Sequence, residues 1–252
     1  MGPFNVIRRL NRVRGAGTET VGPILAIIGI VALIGVVIYV AHLIEQRRCE
    51  ALAALAQSLG WRFTPERDRE HDGRFRQFDV FQTGHSRAAY NTITGTIDSG
   101  ERRYAVQMGD YTYKVTRHTG KHTSTSTYHL SYLIVRVPFQ AVPDLLIRRE
   151  GIMDKLAGAL GFDDIDFESA EFSRRFFVKS PDKKFAYDVV HPRMMEFLMA
   201  GEPPAAFDLR EGHVCVTNGT RRWEGPEFRT GIEWMEAFFA LWPEHLTQRL
   251  EA

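Results

Sequence analysis

The sequence predicts an α+β fold behind one N-terminal transmembrane helix. Three observations carry that expectation. Val21 to Ile44 is a run of 24 residues without a formal charge, 19 of them apolar. Three long segments between Ala88 and Val137 are rich in Tyr, Thr, Val and Ile and alternate in polarity, as paired strands do. Beyond Pro138 strand and helix patterns mix, closing on an apolar stripe at helical spacing. Strands first, then helices with strands, reads as α+β rather than as repeated βα units.

Composition narrows the function classes. The 252 residues are 44% hydrophobic and 25% charged, with a formal net charge of +1. That excludes a disordered, collagen-like or strongly basic nucleic-acid-binding chain. Cys49 and Cys215 are the two cysteines, too few for a disulfide framework or a four-thiolate zinc site. Charge is unevenly placed. Residues 1–20 hold Arg8, Arg9, Arg12 and Arg14 against Glu19, a basic N-terminal tail.

Residues 21–44 form the expected transmembrane helix. At 1.5 Å per residue such a helix reaches about 36 Å, enough for a hydrocarbon core of about 30 Å with some tilt. A helix satisfies every backbone N–H and C=O internally, as lipid requires. A cleaved signal peptide would have an apolar region of only about 7–15 residues ending at a small-residue site; this run is longer and is followed by Arg47, Arg48 and Glu50. Four Arg before the run face Arg47, Arg48 and Arg62 after it, a balance that sets no orientation. Residues 45–59 continue as a juxtamembrane helix, with Cys49, Leu52, Leu55, Ala56 and Leu59 at helical spacing, and Gly60 stands where a C-cap glycine belongs.

Residues 60–252 then form a soluble α+β domain, with candidate halves at 60–138 and 139–252. Trp61-Arg62-Phe63 alternates as a strand. After a polar stretch at 65–74, strands are expected at Ala88–Ile97, Arg103–Val115 and Thr125–Val137, paired as an antiparallel meander. In the third, Tyr128, Leu130, Tyr132, Ile134 and Arg136 share one face and His129, Ser131, Leu133, Val135 and Val137 the other. Ile152–Leu160 reads as a helix and Arg174–Lys179 as a strand. Pro181–Val189 and Pro192–Ala200 read as short helices opened by proline. Ala205–Leu209 and His213–Thr217 flank Glu211-Gly212 as a hairpin. Ile232–Leu250 is a final helix that Pro243 kinks or divides.

Residues 168–200, ESAEFSRRFFVKSPDKKFAYDVVHPRMMEFLMA, carry a signature in Phe172, Phe176, Val178, Ser180, Asp182, Tyr187, Pro192, Met195, Glu196 and Leu198. The segment resembles a family of bacterial membrane-anchored proteins grouped as a domain of unknown function. Pro181 between Ser180 and Asp182 departs from that pattern, as does one anchor helix in place of a hairpin of two. The resemblance implies an anchored architecture in the bacterial plasma membrane and brings no catalytic residue. Physically, Ser180 is placed to cap a helix begun by Pro181, and Tyr187, Met194, Met195 and Leu198 to cover the sheet.

Few residue groups promise chemistry. His118 and His122 stand four apart, with His129 beyond, but in a hairpin tip rather than on a helix where i, i+4 makes a metal pair. Asp163, Asp164, Asp166 and Glu168 offer hard oxygens, yet Ile165 and Phe167 alternate with them and the spacing of a Ca²⁺ loop is missing. Gly84-His85-Ser86-Arg87 lacks the closing glycine of a nucleophile elbow. Cys215 sits between valines as a buried strand thiol. No P-loop or dinucleotide fingerprint occurs, and Asn218-Gly219-Thr220 is a turn before it is a glycosylation site.

The reading is therefore a single-pass membrane protein with no catalytic, cofactor-binding or metal residue assigned and no cofactor implied. Its partners are the lipid bilayer through residues 21–44 and a protein, with no nucleic acid. The leading function is a membrane-tethered, non-enzymatic interaction module. The alternatives are a small-ligand-binding domain, with Phe75, Phe78, Tyr111 and Tyr113 as aromatic walls and Arg87 or Arg103 reading an anion, and a hydrolase built from dispersed His and Asp.

Overall fold

The computed structural model describes residues 21–120, 122–149, 164–201, 204 and 206–251. The basic tail, Asp163 and the expected helix Ile152–Leu160 lie outside them. Helix α1, Val21–Leu59, is continuous, so the two expected helices run as one. From Leu25 to Val40 its side chains stand exposed, and the helix is long and apolar enough to cross a membrane. The chain falls into two compact units, one through Glu50 and one from Ala51 onward. In the second unit the last turns of α1 bury Leu52, Leu55 and Ala56 in the main core. Gly60, at φ +69°, ends α1: its N–H bonds the Gln57 carbonyl at 3.1 Å and that of Trp61 bonds Ala56 at 2.9 Å. This double bond satisfies carbonyls that a helix end otherwise leaves open.

An eight-stranded antiparallel sheet organises the second unit. Strands β1 (Arg62–Thr64), β2 (His85–Ser99), β3 (Arg102–Thr119) and β4 (His122–Arg136) form a meander. Strands β5 (Leu145–Arg149), β6 (Phe176–Lys179), β7 (Ala206–Arg210) and β8 (His213–Thr217) continue it in the order β1-β2-β3-β4-β8-β7-β5-β6. The strands expected at 88–97, 103–115 and 125–137 are all present and longer. In β3 and β4 the extra length is residues 116–119 and 122–124, expected as a hairpin tip, where β-branched threonines favour a pleated ribbon over a loop.

The pleat gives the sheet two cores. On one face Ile93, Met108, Leu133, Val135, Val216, Phe207, Ile147 and Val178 meet the helices. On the other Tyr111, Tyr113, Leu130, Tyr132, Ile134 and Cys215 form a smaller aromatic layer. The alternation read for β4 is the one observed. Trp61 lies flat on Gly95, where a Cβ would stand 2.1 Å from the indole; only glycine admits that approach.

Most of the described helices of the second unit are short. α2 (His71–Arg74) and α3 (Asp79–Gln82) lie on the aromatic face. α4 (Ala170–Arg175) replaces the first residues of the strand expected at 174–179, because Ser169 caps it by accepting from the Phe172 N–H. α5 (Lys183–Val189) is capped by Asp182, which accepts from Phe185 N–H at 3.0 Å. Ser180, the expected cap, instead donates to the Asp144 carbonyl at 2.7 Å and accepts from Asp182 N–H. The helix therefore starts at Lys183, two residues later than expected, with Asp182 rather than Ser180 as its cap. α6 (Pro192–Ala200) forms as expected, whereas Pro243 divides the last helix into α7 (Gly225–Ala240) and α8 (Glu244–Glu251).

The signature residues differ in burial. Phe172, Phe176 and Val178 are buried, but Tyr187 is 49% exposed, its hydroxyl donating to the Asp166 carbonyl and its ring against Phe167. Tyr187 therefore does not cover the sheet. Phe176→Ala is expected to destabilise the protein by about 3–5 kcal/mol, the usual loss for a buried aromatic. Tyr187→Ala should lose about 1 kcal/mol, in proportion to the small area it buries. Denaturant midpoints measure both; equal losses would place the tyrosine in the core.

Candidate functional site

The aromatic face carries Phe75, Phe78, Tyr111 and Tyr113, the residues expected as ligand walls. The structure packs them together instead. All four are buried, and the ring of Phe81 stands 4.9 Å from Tyr111 and 5.6 Å from Tyr132, edge to face. At the centre lies a residue that the sequence did not single out, His71, fully buried between Phe75, Phe81, Tyr111 and Tyr132 at 4.6–5.7 Å between centroids. The Gln107 amide lies 3.3 Å from its Nδ1 and 3.3 Å from the Tyr132 hydroxyl, while Nε2 has no hydrogen-bond partner. Burial pushes the imidazole down to about 3, with Asp68 pulling it back up and Arg74 adding to the fall. His71 is thus a neutral imidazole under ordinary conditions, enclosed by four aromatic rings.

Two arginines staple this layer to the sheet. Arg87 pairs with Asp72 at 2.8 Å and donates to the Gln82 carbonyl, so it is not open to read an anion. Arg210, 6% exposed, pairs with Asp208 at 2.8 Å, reaches Asp79 at 3.5 Å and donates to the Gln77 carbonyl at 2.8 Å. Burial pushes Asp208 up to about 6, against the pull of Arg210. The Cys215 thiol nearby is pushed well up, chiefly by burial, and is inert as a nucleophile.

A second polar cluster lies on the opposite face. Asp110, fully buried, accepts from Ser131 Oγ at 2.9 Å and from the Asn91 amide at 3.3 Å, and Ser131 Oγ in turn accepts from Trp223 N–H at 2.9 Å. Asn91 has φ +50° within the bulge between Tyr90 and Ile93. Gly109 on β3 lies against it, where a Cβ would stand 2.9 Å from the Asn91 carbonyl. The serine here is held by an acid and a backbone amide, and the arrangement fixes the bulge.

The open surface offers shallow clefts. One of about 320 Å³ is lined by Arg103, Ala105, Arg136, Val137, Pro138, Phe139 and Gln140. Arg103 also holds Asp98 at 2.9 Å. A neighbouring cleft of about 600 Å³ is bounded by residues 140–144 with Glu211 and Gly212. Arg103 is thus the residue of the expected anion reader that borders open space, together with Arg136.

The remaining candidates are dispersed. His118 on β3 and His122 on β4 lie on opposite faces of the ribbon, His118 Nδ1 being 2.9 Å from Thr123 Oγ1. His129 meets the Tyr90 hydroxyl at 3.1 Å. Asp164 accepts from the N–H groups of Ile165 and Val178, a strand-edge role, with Ile165 and Phe167 buried behind it. His85 lies 3.1 Å from Ser86 Oγ, but both are exposed and neither precedes a helix. Among the described residues no group of three His, Cys, Asp or Glu is placed to hold a metal ion.

No family model and no curated protein matches the chain. Among solved structures it is similar to the crystal structure of the mycobacterial trehalose monomycolate transport factor A, TtfA, with a TM-score of 0.55 and 12% sequence identity. The likeness covers 78% of this chain and 96% of that one. At that identity what is shared is the fold.

Proposed function

We propose that this protein is a single-pass, membrane-tethered and non-enzymatic module of the bacterial cell envelope that helps partner proteins move a lipid. The observation that carries the proposal is the likeness to a trehalose monomycolate transport factor over nearly the whole of that chain. Three features support it. Helix α1 presents an exposed apolar run from Leu25 to Val40, suited to the bilayer as solvent. Among the described residues the buried acids Asp110 and Asp208 are engaged in fixing structure, one holding a strand bulge and the other an ion pair. The resemblance of residues 168–200 to bacterial membrane-anchored proteins points the same way.

A second reading, an anion-binding domain, rests on the cleft bordered by Arg103 and Arg136; two guanidinium groups flanking an apolar wall suit an amphipathic anion.

The test is genetic and biochemical. The full-length protein is expected to stay with membranes through a carbonate wash, since salt and base screen surface attraction but do not extract a spanning helix. In a strain lacking it, metabolically labelled envelope lipid should accumulate at its site of synthesis, and crosslinking in the wild type should capture a stoichiometric membrane partner. Extraction into the wash, or an unchanged lipid distribution with no partner captured, would overturn the proposal.

A further inference from the structure

The hairpin of β3 and β4 outruns the rest of the sheet. Pairing with β2 ends at His85 opposite Lys114, and pairing with β8 begins only at Tyr132. Beyond those points five residue pairs, from Val115↔Ser126 to Thr119↔His122, form a two-stranded ribbon, roughly 17 Å long at strand rise. Its register fixes what each face shows. Lys114, Thr116 and His118 oppose Thr127, Thr125 and Thr123 on one face, while Arg117 and Thr119 oppose Ser124 and His122 on the other. Thr116 and Thr125 share a hydrogen bond at 2.9 Å, and His85 Nε2 lies 3.0 Å from Thr116 Oγ1, so the array is pre-ordered.

Charge on the ribbon has one sign. No Asp or Glu occurs anywhere between Asp110 and Asp144, while Lys114, Arg117, Lys121 and Arg136 fall within that stretch. Lys114, Arg117 and the hydroxyls from Thr123 to Thr127 are exposed. Neither outer face is apolar, so the ribbon is not waiting for a hydrophobic cover. Apart from the imidazoles of His118 and His122, its outermost pairs carry no aromatic ring, and no Phe, Tyr or Trp for a base to stack on; such stacking is the usual contribution in single-stranded nucleic-acid binding.

We infer that the ribbon of residues 114–127 binds the anionic headgroup layer of a lipid bilayer, with Lys114 and Arg117 meeting phosphates from opposite faces and the threonine row donating hydrogen bonds to them. Charge complementarity selects that occupant: cations and hydroxyls on both faces suit immersion in a polar, phosphate-rich layer several ångströms deep. The inference stands on the ribbon alone and does not depend on the lipid-transport reading.

The experiment uses the full-length protein reconstituted in phosphatidylcholine vesicles and measures capture of separate fluorescent vesicles. Vesicles containing phosphatidylglycerol should be captured at low salt and released at high salt, and pure phosphatidylcholine vesicles should not be captured. The double substitution K114S/R117S should weaken capture about thirtyfold, since each basic residue near an anionic surface contributes about 1 kcal/mol. The charge-conserving K114R/R117K should retain it, which separates lost charge from a damaged ribbon. Equal capture of neutral and anionic vesicles, or undiminished capture by K114S/R117S, would overturn the inference. So would binding of polyglutamate without vesicle capture, which would assign the ribbon to an acidic protein.

Discussion

Acidification from neutrality to about pH 4 is expected to destabilise the wild-type protein relative to a His71→Leu variant by about 3 kcal/mol. His71 is held near a folded value of 3 against an ordinary 6.5. The folded pKa is depressed, so the unfolded chain takes up the proton first. The stability contributed by a neutral His71 is complete above about 6.5 and is lost progressively as pH falls toward 3. Asp208 works in the opposite sense. Its folded value is raised to about 6 from 3.8, so the folded state binds the proton first and gains stability as pH falls between those values. The two effects oppose one another in the wild type, and comparison with His71→Leu removes the Asp208 part. Chemical denaturation at a series of pH values gives the difference directly. Parallel profiles for the two proteins would show that His71 is solvated or that its layer opens before it titrates.

Arg210→Ala is expected to lose about 3–5 kcal/mol, the usual result of leaving one member of a buried ion pair without its partner. Asp208, 7% exposed, would keep its charge or its proton in an apolar layer, and the Gln77 carbonyl would lose its donor. Replacing both members, as Asp208→Leu with Arg210→Met, should recover most of that loss, because a well-packed apolar pair removes the desolvation term altogether. Urea midpoints of the two variants decide it. A loss under about 1 kcal/mol for Arg210→Ala would mean that water reaches Asp208 in the folded protein.

Much of the architecture could be read before any coordinates. The apolar run, the three meander strands and the 206–217 hairpin announce themselves through period and punctuation, which are local properties. So does Gly60, because a helix C-cap needs positive φ. What escaped was decided by tertiary context. Asp182 displaced Ser180 as a cap because the Ser180 hydroxyl found the Asp144 carbonyl, remote in sequence. Tyr187 carries an apolar ring, but the bond from its hydroxyl to the Asp166 carbonyl holds it at the surface. The candidate site was less legible still. Phe75, Phe78, Tyr111 and Tyr113 were correctly gathered on one surface, yet whether aromatic rings line a space or fill it depends on packing that no spacing reveals. His71, inside a stretch of mixed charge at 65–74, gave no signal of burial. Arg136 could be assigned to a face but not to a cleft, since the loop that borders it follows Pro138.

The place where β4 meets β8 has a consequence for how the chain is made. Tyr132 to Arg136 pair with His213 to Thr217, so the middle of the sheet is closed by the last strand in the sequence. Synthesis proceeds from the N-terminus, and the meander of β1 to β4 is complete well before β8 exists. During that interval the Tyr132–Arg136 edge presents open backbone groups beside Leu133 and Val135, the kind of surface that invites pairing with a neighbouring nascent chain. Helices α7 and α8, which follow β8, also bury Phe238, Phe239 and Leu246 against that sheet. The order of emergence from the ribosome, rather than any single contact, makes residues 213–251 the guardian of the meander made before them.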